Sequence, residues 1–336
     1  MKSTPSPMAR HLDRRTAMGL IGAAAVSCSW PIRSAAAGWL SQPIKLGIIA
    51  DLHHDIVHDG VARMQSFVKA MELAKPDAII QLGDFAYPNA KNRDVIDLFN
   101  SSHPKAYHVI GNHDTNGAHT REQCLDVWGM TDNYYMTSIR ELTLVVLDGN
   151  ERGSPMHEGG YPSYVGDEQL NWLQNVLTSV RGPMIIASHQ PLAGTFAVDN
   201  AEAIQKLLAE YADRILLAIN GHSHIDHVRR VKDIVYMHIN SASYQWVGGN
   251  YQHESYSSEE HSAKPWLSHT CPYRDSLFAV LTIDPDDLSI SVDGKESQWV
   301  GPSPAELGAN ISASLTHGEE IAPRIRDRHL QRIRGN

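Results

Sequence analysis

The sequence predicts an α/β layered domain on three observations. Short apolar runs recur along the chain, stretches with apolar residues three and four apart separate them, and no repeat or Pro/Gly/Ser-rich linker interrupts the series. The runs are "IKLGIIA" (44–50), "DAIIQLG" (77–83), "AYHVIGN" (106–112), "LTLVVLD" (142–148), "PMIIASH" (183–189) and "RILLAIN" (214–220). Their unbroken apolar character suits strands covered on both faces. Between them "GVARMQSFVKAMELA" (60–74), "DEQLNWLQNVLTSV" (167–180) and "NAEAIQKLLAEYA" (200–212) carry the helical period. From residue 225 "IDHVRRV", "DIVYMHIN", "SLFAVLTID" and "LSISVDG" follow without intervening helices, which predicts a second, more antiparallel sheet. One domain over 42–300 is the economical division. The tail, 301–336, ends in "APRIRDRHLQRIRGN", which reads as a basic amphipathic helix or, because its start is weakly apolar, as a flexible end.

The 336 residues are 42% apolar and 20% charged, an ordinary globular balance. At the N-terminus Arg14 and Arg15 precede "TAMGLIGAAAVS", an apolar stretch too short to span a bilayer, and "SAAAG" follows with a small-x-small pattern ending at Ala37. Basic, apolar and small-residue zones in that order predict a removable export signal over 1–37, whose arginine pair resembles the bacterial twin-arginine type. The mature chain is then periplasmic or extracellular and has no transmembrane segment. Cys28 offers a lipid anchor as an alternative, disfavoured because Ala25 stands where a larger aliphatic belongs. Cleavage removes five basic residues and one acidic one, taking the net charge from -9 to about -13, which disfavours a role in coating nucleic acid. It leaves Cys124 and Cys271, one even pair in an oxidising compartment, although spacing alone cannot show that they meet.

Function is written at the ends of the strands. Every early run except "LTLVVLD" ends in metal-capable residues: Asp51 and His53, Asp84, Asn112-His113-Asp114, His189, and His222 with His224. In an open α/β sheet the carboxyl ends of parallel strands face one crevice, so these positions are expected to converge. Residues two apart on an extended segment share a side, so Asp51 and His53, or His222 and His224, can grip one centre. Nitrogen and oxygen donors without cysteine suit manganese, iron or zinc. The donors exceed what one tetrahedral ion needs, and a carboxylate such as Asp84, between the two groups in order, is the natural bridge of a two-metal centre.

The series D-x-H, G-D, G-N-H-D, H, G-H-x-H resembles the calcineurin-like metallophosphoesterases, over about residues 44–240. The resemblance implies a four-layer α/β/β/α sandwich of two mixed sheets flanked by helices, with the metal centre at the strand C-terminal ends. It implies one ion held by Asp51, His53, Asp84 and His224 and a second by Asp84, Asn112, His189 and His222. A metal-activated hydroxide would attack phosphorus in line, with His113 contacting phosphate as the candidate general acid and Asp114 orienting its ring. His53 stands where purple acid phosphatases carry glycine, so Tyr87 in "GDFAY" is read as an aromatic wall rather than a ligand. The full pattern is closest to the cyclic-nucleotide phosphodiesterase and nucleotide-hydrolase branch, which also shows a strand ending in L-D, here Asp148, and a helix with W-L. A small phosphate ester is the expected substrate, a phosphodiester before a monoester, with a non-catalytic metal-stabilised surface module as the reading from another class.

Neighbouring residues carry blander expectations. His54 should point away from the site, Asp55 and His58 should be solvated loop, and His108 a satisfied core histidine. Gly83, Gly111 and Gly221 should permit tight turns and let the backbone approach the metals. Substrate choice falls to segments without motifs: 131–138, 154–166 and 240–275. The last is rich in Tyr, Trp, Gly and Ser and suits a loop over a site.

Overall fold

The computed structural model describes residues 38–309, 315 and 318–331. The export signal read over 1–37 lies outside them. Sixteen strands and six α-helices are described. The strands are β1 (Ile44–Ile49), β2 (Ala78–Gln81), β3 (Ala106–His108), β4 (Tyr135–Ile139), β5 (Leu142–Val146), β6 (Met184–Ser188), β7 (Ile215–Asn220), β8 (His227–Val231), β9 (Ile234–His238), β10 (Tyr244–Trp246), β11 (Thr270–Pro272), β12 (Ala279–Ile283), β13 (Ile290–Asp293), β14 (Lys295–Glu296), β15 (Arg324–Ile325) and β16 (Arg328–Leu330). The helices are α1 (Gly60–Ala74), α2 (Arg93–Ser102), α3 (Arg121–Trp128), α4 (Asp167–Ser179), α5 (Ala201–Ala209) and α6 (Ser258–Ala263).

Two six-stranded mixed sheets carry the fold, ordered β16-β13-β12-β1-β2-β3 and β4-β5-β6-β7-β9-β8. Strands β1, β2 and β3 run parallel, as do β5, β6, β7 and β9. Alternate residues of one strand serve two cores. Leu144 and Val146 of β5 face β1, β2 and β12 across the space between the sheets, while Val145 and Leu147 pack on α4 and α5. A third cluster puts Ile49 and Ile79 against Met64 and Phe67 of α1 and Val95, Ile96 and Phe99 of α2. Helix, sheet, sheet, helix is therefore the layer order, because each strand's side-chain period of two supplies an apolar residue to both faces.

Two expectations are corrected. The strands after residue 225 do not build a separate sheet. β8 and β9 extend the sheet of β7, whereas β12 and β13 pair antiparallel beside β1. Alternating apolar pattern reports one buried face and says nothing of which sheet buries it. The tail is also not a helix or a loose end where it is described, since Arg328–Leu330 closes an edge of the first sheet by pairing with β13. Segment 240–275 is more ordered than its composition suggests, with β10 paired to β11 and a capping box at Ser257 and Glu260 opening α6. Cys124 and Cys271 are both free and buried, in different hydrophobic clusters.

Candidate metal centre

The loops that leave β1, β2, β3, β6 and β7 bring seven expected side chains together. Asp51, His53 and His224 form one group of donors able to hold a cation, and Asp84, His189 and His222 form another. His224 Nε2 lies 3.3 Å from Asp51 Oδ1 and 3.2 Å from His53 Nε2. Asp84 Oδ2 lies 3.6 Å from His53 Nε2 and 3.2 Å from His189 Nε2, so it faces both groups. His189 Nε2 is 3.1 Å from Asn112 Oδ1 and 3.2 Å from His222 Nδ1. Ring nitrogens this close are held together by a shared proton or by a cation between their lone pairs. Backbone carbonyls hold the far side of two rings: His189 Nδ1 donates to Leu82 O and His224 Nδ1 to Tyr244 O, each at 2.8 Å, leaving both Nε2 lone pairs aimed inward. Asn112 Nδ2 is buried without a partner, which fits an amide turned so that its oxygen serves as a ligand. The donors fit two divalent ions of borderline or hard character.

The mechanism of convergence differs from simple strand alternation. Asp51, His53, Asp84, His222 and His224 all have left-handed backbone, with φ between 48° and 67°. Such a conformation is uncommon outside glycine and clusters at functional sites. Each donor pair is therefore turned inward by the loop that follows its strand, not by an extended run. The neighbouring glycines make room rather than flexibility. A Cβ on Gly111 would collide with Asp84, and one on Gly221 with the Asp51 carboxylate. Asp51 in turn accepts the His222 N–H on both oxygens at 3.0 Å, tying the first and last donor loops together.

The charges are tuned for a cation. Burial drives His53 well below its ordinary value and takes His222 down to about 3, so both rings are neutral donors near pH 7. Burial also opposes charge on His189, yet the Asp84 carboxylate carries it up to about 9. Asp84 is held well below the usual carboxylate range, against burial, by His189 and His113. A cation at these donors competes with protons, so its binding weakens as pH falls.

Asp114 does not orient the His113 ring, as the resemblance implies it would. Asp114 is buried, and its carboxylate accepts N–H groups of Asp84 (2.9 Å), Phe85 (2.8 Å), Ala86 (3.1 Å) and Gly111 (2.7 Å). It pins the Asp84 loop and does not touch the His113 ring. The group on that ring is Asn116, 2.7 Å from Nδ1 and invisible as a motif, since a short polar residue after G-N-H-D carries no signal of its own. His113 Nδ1 accepts there, with Asn116 Nδ2 donating. His54 points away, under Gly60. Asp55 is no idle loop residue: it accepts from Tyr87 N (2.7 Å) and Asn92 Nδ2 (2.8 Å), and its neighbour Tyr87 walls the small cavity before His53 and His113. His58 pairs with Glu260 at 3.4 Å, away from the donors. His108 is the core histidine expected, bonded to Gln81 and Asn100 and stacked on Trp128. Asp148, two residues beyond β5, is fully buried against Arg121 (2.9 Å) and Asn150, bracing the loop beside the site.

The C-terminal segment buttresses the donor loops from behind. Glu319 accepts from Thr195 N at 3.2 Å and from the Thr195 hydroxyl, and Thr195 O accepts from Ser223, between His222 and His224. Asp226, two residues beyond His224, is held by Arg326 (2.8 Å) and Arg328 (2.6 Å). Asn240 Nδ2 donates to the Ala322 and Arg324 carbonyls, while Ser241 beside it donates to Asp51 O. Glu319, Arg326 and Arg328 are far from every motif and no spacing rule finds them. In segment 240–275 Tyr244 backs the His53 and His224 rings, but Trp246, Trp266 and His269 stack on one another, so these aromatics pack the loop.

The sequence profile described as calcineurin-like phosphoesterase matches residues 44–226. No curated protein matches by sequence. Among solved structures the chain is similar to a dimetal phosphatase from Danio rerio, at 17% identity over 77% of this chain and 99% of that one, with a TM-score of 0.52. It is also similar to GAP50, described as the anchor in the inner membrane complex of Plasmodium, at 14% identity over 87% and 90% of the two chains, with a TM-score of 0.55. At these identities the likeness concerns the fold.

Proposed function

The chain belongs to the calcineurin-like phosphoesterase family and is a metal-dependent phosphoric ester hydrolase, and from that premise we propose that it is an exported two-metal enzyme that cleaves phosphodiesters, cyclic nucleotides among them. The observation that carries the two-metal reading is the pair of donor triads, one buried and one buried except for a half-buried His222, meeting at Asp84. Asp51, His53, Asp84 and His224 would hold one ion, and Asp84, Asn112, His189 and His222 the other. Ions bound there activate water and offset the charge that gathers on the phosphoryl oxygens.

The chain's own groups do the rest. Neutral His53 and His222 and anionic Asp84 present lone pairs, and the Asp114 carboxylate fixes the loop that aims Asp84. His113 stands at the open side of the cavity beside His53, its Nδ1 occupied by Asn116, which leaves Nε2 to meet a phosphoryl or leaving-group oxygen. A diester is favoured because His222 also lines a groove outside the donor cluster, giving a second organic substituent somewhere to lie. Export rests on the order of basic, apolar and small zones before Ala37.

The test is hydrolysis by the mature chain, reloaded separately with manganese, iron and zinc, of a nitrophenyl diester beside the matching monoester. Diester turnover is expected, with Asp84→Ala lowering it on the order of 10³-fold or more. Monoester preference would move the assignment to a phosphate-scavenging monoesterase. No turnover with any metal would move it to a metal-stabilised surface module. Fractionation of expressing cells, with Arg14→Lys/Arg15→Lys as the comparison, tests export.

A further inference from the structure

Seven large apolar side chains are exposed among the described residues, and three of them, Met156, Tyr161 and Phe196, line a single groove beside His222. Scattered exposure needs no explanation, but a cluster at the mouth of a catalytic centre does. The two aromatic rings meet the centre at two different histidines. Tyr161 lies 5.0 Å from the His113 ring at 53°, and Phe196 lies 6.2 Å from the His222 ring at 87°. Phe196 is 53% exposed and has φ +60°, a left-handed conformation that a bulky side chain adopts only under constraint. The constraint is visible: Thr195, its neighbour, is clamped between Glu319 and Ser223. The fold thus spends strain on presenting an aromatic ring to solvent beside a candidate ligand.

The polar groups of the same groove point to the chemistry of its occupant. Gln190 is 1% exposed, and its Oε1 has no hydrogen-bond partner although its Nε2 donates to Asn150. Asp199 Oδ2 is likewise buried and unpartnered. Both residues line the groove, but the Gln190 oxygen lies against Gly149, which leaves the Asp199 carboxylate as the groove's acceptor in need of a donor. No lysine or arginine lines it, so it offers nothing to a second phosphate.

We propose that this groove holds the organic group of the ester, and that the group is a flat heteroaromatic ring carrying N–H donors. Tyr161 and Phe196 supply stacking faces, while the Asp199 carboxylate receives the ring's N–H groups. The inference rests on the phosphoesterase reading for the phosphoryl end, and its test uses phosphonates, which bind without being hydrolysed. Calorimetry on the mature chain, loaded in turn with manganese, iron and zinc, compares methylphosphonate, phenylphosphonate and 4-aminophenylphosphonate. The phenyl compound should bind about 10- to 100-fold tighter than the methyl compound, the range expected for one stacked ring. The amino compound should bind several-fold tighter again, a gain that Asp199→Asn removes. Phe196→Ala and Tyr161→Ala should each cut the phenyl-to-methyl ratio by about tenfold; both side chains are exposed, so thermal denaturation should show the variants folded. A ratio near one in the natural protein, a ratio unmoved by both variants, or failure to bind either phosphonate overturns the proposal. Ester hydrolysis separates the two claims. Turnover without ring preference removes the groove and keeps the enzyme, whereas ring preference without turnover removes the enzyme and keeps the groove.

Discussion

The floor and the rim of the candidate centre are built under opposite constraints. On the floor Asp51, His53, Asp84, Asn112, His189 and His224 are at most 6% exposed, and every one is held by backbone partners or by another donor. On the rim Met156, Tyr161 and Phe196 are 47–60% exposed, and the segment from 152 to 161 is open to solvent. The floor must be dry, because charge separation and lone-pair alignment are worth most where water is excluded. The rim must be open, because it meets a different part of the substrate and has to let it in. The difference teaches where chemistry ends and selection begins: His113 and His222 sit at the seam, each with a donor-side contact and an aromatic neighbour above it.

That contrast can be broken by putting bulk into the floor. After Asp84→Ala, the largest effect is expected from Gly221→Ala, whose Cβ would push on the Asp51 carboxylate. Metal affinity, measured by competition with a chelating dye, should fall about 10- to 100-fold, the cost usual for disturbing a group that orients a ligand. Unchanged affinity would mean that Asp51 is not bound where the geometry places it.

A smaller effect is expected from behind the floor. Asp226→Asn leaves Arg326 and Arg328 without their carboxylate and loosens the support of the His222–His224 loop. Stability should drop by ~1–3 kcal/mol and metal affinity several-fold. If stability falls while affinity holds, the C-terminal segment braces the fold and not the centre.

The smallest effect sharpens the contrast through pH. Burial takes His108 down to about 3, outside the centre, so between that value and the ordinary imidazole value the unfolded chain binds a proton that the folded chain refuses. Stability from this residue is therefore complete above the unfolded value and is lost as pH falls below it, by ~2 kcal/mol at pH 5. Urea denaturation of the metal-free protein at pH 7 and pH 5 should show a fall that is smaller by about that amount in His108→Gln. An equal fall would assign the acid sensitivity to the donor histidines instead.

Much of this molecule is legible without coordinates, for identifiable reasons. Strands buried on both faces have to be continuously apolar, so "IKLGIIA" and "RILLAIN" announce themselves. Metal-capable residues recur where strands end, so the candidates can be listed from order, and the family resemblance picks Asp51, His53, Asp84, Asn112, His189, His222 and His224 from among them. What eluded the sequence is whatever depends on contact between distant segments. The family resemblance makes Asp114 the partner of His113, yet its carboxylate serves the Asp84 loop and Asn116 takes the ring. The basic tail reads as a loose end because its apolar content is low. It is ordered because Asp226 and β13 supply what Arg326, Arg328 and Leu330 lack locally.

By itself, then, the sequence determined the layered class and, through the family its motifs resemble, the candidate donors, since each is a matter of residue type at a strand's end. Only the tertiary structure decided which sheet takes the late strands, which group sits on His113, and which side chains form the groove. Those choices turn on left-handed turns at single residues and on hydrogen bonds spanning a hundred positions or more, such as Glu319 to Thr195, and no local pattern encodes a partner that far away.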